Sequence, residues 1–433
     1  MKKFLCIVVL LLTYSGVFSQ EEYELQIFID NALETHPSIE KAKNILALNE
    51  NKIDLAKSQY LPNIQTNLGY RLIEPRSEIT IPLPTVPLSA ELYPLNNFDF
   101  NLEVNYDLYN FGRTKADVAI ANLEQAFASN NESLIKQQIS LEIVNLYYNL
   151  YFVQEARKVN QEQQELLHKT KKINALFYEQ GEITNLDLLN TDAQLSQVMI
   201  QAETLENSLQ VLKKQLELFT QKENINVSFF KTPFLSKPFI FNDSEIANNL
   251  EAKLSTINSD ISKQQLDKAK RQAYPTILAQ AKGGYKNGLL PDNKELRLNY
   301  TVGVGVQIPI FLGNRIEINK KIAQNNIDAS FSNQAEVDLQ VQTALFKTKE
   351  NITQFFKKME LSEIKILQSE KAVEQAFLQY ENGEITNLDL LRIEVQLANA
   401  KLQKIQFLLH YTLNIYAYKK IIGEQIQQLV DYE

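Results

Sequence analysis

The sequence has 433 residues and a formal net charge of −8, which gives no reason to expect a nucleic acid partner. Its three histidines, His36, His168 and His410, lie far apart in sequence and form no metal-binding motif. Neither a Walker loop nor a nucleophile elbow is present. The composition and motifs therefore predict no enzymatic activity and no bound metal or cofactor.

Residues 1–19 are predicted to form a secretory signal peptide. Two lysines precede an apolar run at residues 4–12, and small residues precede the predicted cleavage point after Ser19. An N-terminal membrane anchor is the alternative, but it would need about 20 apolar residues, and this run is broken at residues 13–16. Cleavage removes Cys6, the only cysteine, and so excludes disulfides and thiolate metal sites from the mature chain.

Three segments alternate clearly between apolar and polar residues, and a fourth, at ~276–286, does so more weakly. This alternation has the period of a β-strand. Each has about 10 to 12 residues, enough to cross a bilayer at a tilt. The alternative is two hairpins that are half-buried on a soluble core. The proline-rich segment at 73–96 is predicted to be a loop between the first two strands. The predicted strands are residues ~63–72, ~97–108, ~276–286 and ~298–310.

Most of the remaining sequence is predicted to be helical. No glycine or proline interrupts residues 113–178 or 315–382, and a continuous helix of that length extends about 100 Å. Such a helix must pack along other helices. In the segment that follows each long helix, apolar or small residues are spaced alternately three and four positions apart, as in a coiled-coil seam. The predicted seams are Leu186, Leu189, Ala193, Ser196 and Ile200, and Leu388, Leu391, Val395, Ala398 and Leu402.

The nonapeptide GEITNLDLL occurs at residues 181–189 and again at 383–391, an offset of 383 − 181 = 202 residues, and so indicates an internal duplication. Each half is predicted to contain a helix, two strands, a long helix, a glycine turn and a second helix. The predicted organisation is a first repeat at 20–220 with helices ~113–180 and ~186–220, a linker at 221–243, and a second repeat at 244–433 with helices ~315–382 and ~388–420.

The repeated nonapeptide has the composition of a turn between two helices. Gly181 and Gly383 can adopt the positive φ that ends a helix. A threonine or an asparagine, three or four residues later, can cap the next helix. Asp187 and Asp389 lie in the first turn of that helix, where the helix dipole favours a negative charge. These features are a sufficient structural reason for the motif.

Four strands cannot close into a barrel, because about eight is the smallest useful number. Open strand edges are not tolerated in lipid. The chain is therefore predicted to form an oligomer whose subunits contribute strands to one barrel, while the long helices continue the tube on one side of the membrane. Two copies would supply eight strands and three would supply twelve, and the sequence pattern leaves this choice open.

The chain resembles the TolC-like family of outer membrane efflux proteins over essentially the whole mature sequence. The resemblance rests on the segment ALETHPSI at residues 32–39, the motifs at 60–62 and 274–275, and two copies of Y-x-x-G-x-x-T-x-L-D-L-L. It implies an α+β membrane protein: a homotrimer with a twelve-stranded barrel in the outer membrane of a Gram-negative bacterium and a twelve-helix tunnel in the periplasm.

The resemblance also implies that both glycine turns lie at the periplasmic tips, where adaptor proteins dock and the entrance is held shut. The family's arginine two residues after the inner glycine is Ile385 here, and its second acid is Arg392. We therefore predict that Arg392 pairs with Asp389, three residues away, within or between subunits. The predicted entrance gate comprises Tyr380, Asp389 and Arg392, and the predicted docking turns comprise Gly181, Thr184, Asp187, Gly383 and Thr386.

The predicted function is an outer membrane channel, surrounded by outer membrane lipid, that exports substrates from the periplasm or from an inner-membrane pump. The resemblance implies a periplasmic adaptor and an energised inner-membrane transporter of the RND or ABC class as partners. A soluble periplasmic coiled-coil scaffold without pore activity is the alternative. The sequence selects no cargo, because a wide tunnel leaves selection to the pump.

Overall fold

The computed structural model describes residues 25–82, 84, 87–225, 234–242, 248–289, 294–424 and 426. The predicted signal peptide lies outside these residues, and the predicted linker at 221–243 lies partly outside them. In chain order the elements are α1 (Leu25–Thr35), α2 (Pro37–Ser58), β1 (Asn63–Leu72), β2 (Glu78–Ile81), β3 (Leu88–Glu91), β4 (Asn96–Tyr109), α3 (Arg113–Gln180), α4 (Asn185–Thr220), α5 (Leu250–Arg271), β5 (Thr276–Lys286), β6 (Arg297–Gln307), α6 (Arg315–Glu381) and α7 (Asn387–Ile422).

The four long strands form one antiparallel sheet in the order β1–β4–β5–β6. β4 and β5 pair at its centre, so the two halves of the chain meet there. The register sets Leu68 opposite Phe100 and Ala281 opposite Val302, and residues that are directly opposite share a face of the sheet. The apolar sides of all four strands therefore coincide. This apolar face comprises the even-numbered residues of β1, β6 and β4 as far as Tyr106, and the odd-numbered residues of β5.

The opposite face of the sheet carries polar side chains that bond to one another. Glu103 accepts hydrogen bonds from Asn67 at 3.1 Å and from Asn105 at 3.0 Å. The apolar face is exposed in the single chain, and Leu68 and Val302 each retain 75% of their accessible surface. A sheet that is polar on one side and apolar on the other is typical of a wall between water and lipid.

The strands differ from the sequence prediction in two places. β6 ends at Gln307 rather than at residue 310, because Pro309 has no N–H to donate to the strand ladder. The segment at 73–96, predicted to be a loop, contains a separate two-stranded sheet in which Ile79 lies opposite Ala90. Strands of four residues are too short to give a clear alternating pattern.

The helices pack as two long antiparallel pairs, which we call the outer pair (α3 and α4) and the inner pair (α6 and α7). α3 has 68 residues and α6 has 67, so each extends about 100 Å. α2 packs on α3, α5 packs on α6 and α3, and α3 also contacts α7, which joins the two pairs. None of the described helices has the length and apolarity needed to span a membrane.

The predicted coiled-coil seam is partly buried in α7 and is not buried in α4. In α7, Leu391 and Ala398 are buried, but Leu388 is mostly exposed. In α4, Leu186, Leu189 and Ile200 are all mostly exposed. α4 carries more than one apolar stripe, and spacing alone does not say which stripe α3 covers. The uncovered stripe remains on the surface of the single chain. The buried residues of α4 are Thr191, Leu195, Val198, Leu209, Leu216 and Thr220.

The largest core lies near the middle of α3, far from both the sheet and the glycine turns. Phe28 of α1 and Tyr147 and Tyr148 of α3 are completely buried there. Residues 234–242 of the linker are held against α7 by side-chain hydrogen bonds. The hydroxyl of Tyr411 donates to the carbonyl of Lys237 at 2.6 Å. This core fixes the two helix pairs relative to each other at mid-length.

Candidate gate and docking site at the helix tips

The two glycine turns have the same backbone conformation. Gly181 has φ 78° and Gly383 has φ 75°, a left-handed conformation that side chains with a Cβ rarely adopt. Each glycine follows a long helix and reverses the chain direction. Thr184 begins α4 as its N-cap, and Thr386 begins α7 in the same way. The predicted docking turns are therefore real turns, and both lie at one end of the helix pairs.

A capping aspartate fixes the start of each returning helix. The hydroxyl of Thr184 donates to Asp187 Oδ2 at 2.7 Å, and the hydroxyl of Thr386 donates to Asp389 Oδ2 at 2.6 Å. The bonds from Thr386 lower the pKa of Asp389 below its usual range, and the charge of Arg392 contributes less. Asp389 is therefore ionised near neutral pH, as the sequence argument required.

The predicted ion pair between Asp389 and Arg392 is not formed within one chain. Among the ion pairs of the described residues, none joins these two side chains. Arg392 is exposed, and its influence on Asp389 is a longer-range attraction. The pairing within one subunit is thus not formed here, and the pairing between subunits remains a prediction.

Four buried polar side chains form a network that joins all four long helices just above the turns. The Asn174 amide nitrogen donates to Thr191 at 2.7 Å and to Asn387 Oδ1 at 2.9 Å. The Asn387 amide nitrogen in turn donates to the backbone carbonyl of Asp187 at 2.9 Å. We call Asn174 of α3, Thr191 of α4, Tyr380 of α6 and Asn387 of α7 the tip network.

Tyr380, the predicted gate tyrosine, belongs to this network rather than to the exposed turn. It is only 3% exposed, and its hydroxyl donates to Asn174 Oδ1 at 2.6 Å. Burial, with a smaller contribution from the charge of Asp187, raises the pKa of Tyr380 to about 12. The phenol therefore keeps its proton at neutral pH and remains a donor, which links the inner pair to the outer pair.

A second buried bond between α3 and α7 lies two helical turns from the inner turn. The hydroxyl of Thr170 donates to Glu394 Oε1 at 2.6 Å, and Glu394 is only 1% exposed. Its other oxygen, Oε2, has no hydrogen-bond partner among the described residues. Burial raises the pKa of Glu394 to about 7.

The identical nonapeptides lie in different environments. Asn387 is 2% exposed, whereas Asn185, at the same position of the first copy, is exposed. Tyr380 is buried, whereas the corresponding Tyr178 is 45% exposed. Sequence reasoning treated Asn387 only as a cap and missed its place in the tip network. The feature of the sequence that could have indicated this role is that Asn387 is a polar residue among the apolar residues of α7.

No group of three or more histidine, cysteine, aspartate or glutamate side chains is placed to hold a metal ion within the part of the chain that the structure describes. Two of the three histidines have local roles. His36 accepts a hydrogen bond from the Ser38 N–H at 3.2 Å and so caps α2, and His410 stacks on Phe355 with ring centroids 5.0 Å apart. The site therefore consists of turns, caps and buried hydrogen bonds.

Known structures share this fold at low sequence identity. VceC of Vibrio cholerae has a TM-score of 0.77 and 19% identity, over 93% of this chain and 96% of that chain. CmeC of Campylobacter jejuni has a TM-score of 0.76 and 16% identity, over 92% of this chain and 85% of that chain. MtrE of Neisseria gonorrhoeae, described in an open state, has a TM-score of 0.76 and 15% identity, over 93% of this chain and 89% of that chain. All three are described as outer membrane proteins or channels. No curated protein sequence matches the chain.

The sequence profile of the family described as "Outer membrane efflux protein" matches residues 28–220 and 243–424, which together are most of the chain. The match covers both halves and ends near the predicted linker on either side. It confirms the predicted family and outer membrane location and favours the channel over the soluble scaffold. The chain thus belongs to the outer membrane efflux protein family and is an outer membrane channel of an efflux system.

Proposed function

We propose that three copies of this chain form one channel whose four-stranded sheets close into a twelve-stranded barrel. The observation that carries this proposal is the apolar face, which runs in register across all four strands and is exposed in the single chain. β1 and β6 are the edges of the sheet, and unpaired strand edges are unstable in lipid. β6 of one subunit pairs with β1 of the next, in the same antiparallel sense as the rest of the sheet.

Three copies are favoured over two by the size of the lumen. A barrel of about eight strands has an interior that side chains fill. A channel for exported substrates needs open space, so three copies are the smallest number that provides it. The polar face, with Glu103 and its amide partners, then lines water, and the apolar face contacts lipid.

The long helices continue the channel into the periplasm, and the glycine turns form its entrance. Exposed turns with fixed caps suit docking of a periplasmic adaptor, which connects the channel to an energised inner-membrane transporter of the RND or ABC class. The docking residues are Gly181, Thr184, Asp187, Gly383 and Thr386. The transporter, rather than this chain, determines which substrate is exported.

The entrance is closed by the inner turns of the three subunits. Asp389 is ionised and Arg392 is exposed, so each Arg392 can pair with Asp389 of a neighbouring subunit around the axis. Tyr380 holds the inner pair against the outer pair through Asn174. Opening moves the inner pair away from the axis and breaks both sets of contacts.

Single-channel conductance in a planar bilayer tests the gate. We expect small, stable steps from the purified protein and larger steps from Asp389→Ala and Arg392→Ala. An exposed ion pair contributes up to about 1 kcal/mol, so each variant should raise the resting conductance up to about fivefold. Lys404→Ala, which removes a cation paired with Glu363 elsewhere, is the matched control. Unchanged steps in both tip variants would contradict the gate, and no steps from any folded sample would contradict the channel.

The mass of the detergent-solubilised protein tests the number of subunits. We expect native mass spectrometry to give three chains per particle, because twelve strands are needed for an open lumen. The same sample after denaturation should give single chains, since the only cysteine, Cys6, lies in the predicted signal peptide. A particle of two chains would contradict the proposed barrel.

A further inference from the structure

Glu394 lies where the inner and outer helix pairs meet, close to the proposed entrance. Its carboxyl group connects α7 to α3 through Thr170, which is itself fully buried. The apolar tip cluster of Val373, Phe377 and Leu390 lies at the same level of the helices. A carboxyl group that is buried in such a place with one oxygen unpartnered is more stable in its neutral form than in its ionised form, because burial penalises the charge.

Charged groups near this level do not neutralise Glu394. On the outer pair, Lys171 of α3 is paired with Asp192 of α4 at 2.6 Å. Lys169 of α3 lies over the ring of Phe377, 4.7 Å from its centroid. The other ionisable side chains near this level are exposed: His168 and Lys172 on α3, Lys371 and Glu374 on α6, and Arg392 on α7. The acid is therefore held by burial and by one hydroxyl, without a cation.

We propose that Glu394 is a proton-controlled latch: when neutral it lets the inner pair pack against the outer pair, and when ionised it favours separation of the pairs and opening of the entrance. The effect on the entrance rests on the proposed channel function. The burial of Glu394 between α3 and α7 does not depend on that function. The ionised carboxylate keeps the Thr170 bond and leaves Oε2 buried without a donor. Separation of the pairs lets water reach that oxygen.

The pH dependence has a definite sign. In the packed tip the pKa of Glu394 is raised to about 7 by burial, against 4.5 for the free side chain. The packed state therefore binds more protons between these two values, so its advantage is full below pH 4.5, falls as the pH rises from 4.5 to 7, and changes little above 7. Each pH unit in this window changes the ratio of packed to open tips by up to about tenfold. Acid closes the entrance, and a rise of the pH to neutrality opens it.

The first copy of the repeat lacks this device. At the offset of 202 residues, the position of Glu394 corresponds to Asp192, which is exposed and paired with Lys171. The shorter, exposed acid is hydrated in any arrangement of the helices. The latch is therefore specific to the inner pair, and Asp192 supplies a matched control.

The experiment measures the conductance of the full-length channel in planar bilayers between pH 4.5 and 8. We expect the wild-type conductance to rise about fivefold or more across this range, while Glu394→Gln stays at the low value throughout. Glu394→Leu, which is also uncharged, should lose the pH dependence as well. Asp192→Asn should follow the wild type. A Glu394→Gln channel that keeps the wild-type pH dependence would overturn the latch.

Hydrogen exchange separates failure of the latch from failure of the channel. Amide exchange in residues 387–400 is compared between the wild type and Glu394→Gln at the same pH, so that intrinsic exchange rates cancel. We expect equal protection at pH 4.5 and several-fold faster exchange of the wild type at pH 8. Equal protection at both values would overturn the latch, whether or not the protein conducts. Absence of conductance together with the expected exchange pattern would count against the channel alone.

Discussion

Replacing Asn387 with alanine is expected to open the resting channel. The change removes the donor to the Asp187 carbonyl and the acceptor for Asn174, and it leaves buried polar groups without partners. Such a loss costs about 1–3 kcal/mol, which is a shift of about 5- to 150-fold in the equilibrium between packed and open tips. Single-channel recordings of Asn387→Ala should therefore show a much larger resting conductance than the wild type.

The first copy of the repeat provides the control for this variant. Asn185→Ala makes the same substitution at the corresponding position, where the side chain is exposed. We expect its conductance to match the wild type within about twofold, since surface substitutions away from such features change stability by about 0.5 kcal/mol or less. Equal effects of the two substitutions would show that the tip network does not hold the entrance closed.

Replacing Val302 with arginine is expected to prevent assembly of the barrel in the membrane. Val302 lies on the apolar face near the middle of β6 and is 75% exposed in the single chain. A lipid-facing arginine near the bilayer midplane costs about 2–4 kcal/mol, and a trimer would carry three of them. Outer membrane fractions of cells that express Val302→Arg should contain little folded trimer, as measured by heat-modifiable migration on gels.

The neighbouring residue tests which face of the sheet contacts lipid. Thr301 lies opposite Lys282 on the polar face, so Thr301→Arg places the same charge in the proposed lumen. We expect this variant to assemble at near wild-type levels. Equal loss of trimer in both variants would contradict the assignment of the apolar face to lipid, and normal assembly of Val302→Arg would contradict a membrane position for the sheet.

The sheet was the most predictable part of the fold. Alternation in β1 and β4 marked which side chains share a face, because successive residues of a strand point in opposite directions. The antiparallel register then aligned Val104 with Ala281 and Ala281 with Val302. The end of β6 differed because the apolar pattern continues past Pro309, while the hydrogen-bond ladder does not.

The tip turns were also readable from the sequence, since their causes are local. Gly181 and Gly383 have the expected positive φ, and the capping aspartates bond to threonines three residues earlier. Each of these interactions lies within one short segment. The predicted pairing of Asp389 with Arg392 is not formed within one chain, and its formation between subunits stays a prediction.

The sequence by itself determined the periods, lengths and turn positions of this protein, because those follow from backbone geometry and from residues close together in the chain. Only the tertiary structure decided which stripe of α4 is buried and why the same nine residues are exposed in one copy and partly buried in the other. Asn387 meets Asn174 across 213 residues of sequence, and Glu394 meets Thr170 across 224. The burial of a side chain depends on helices that pack from elsewhere in the chain, and no local pattern records them.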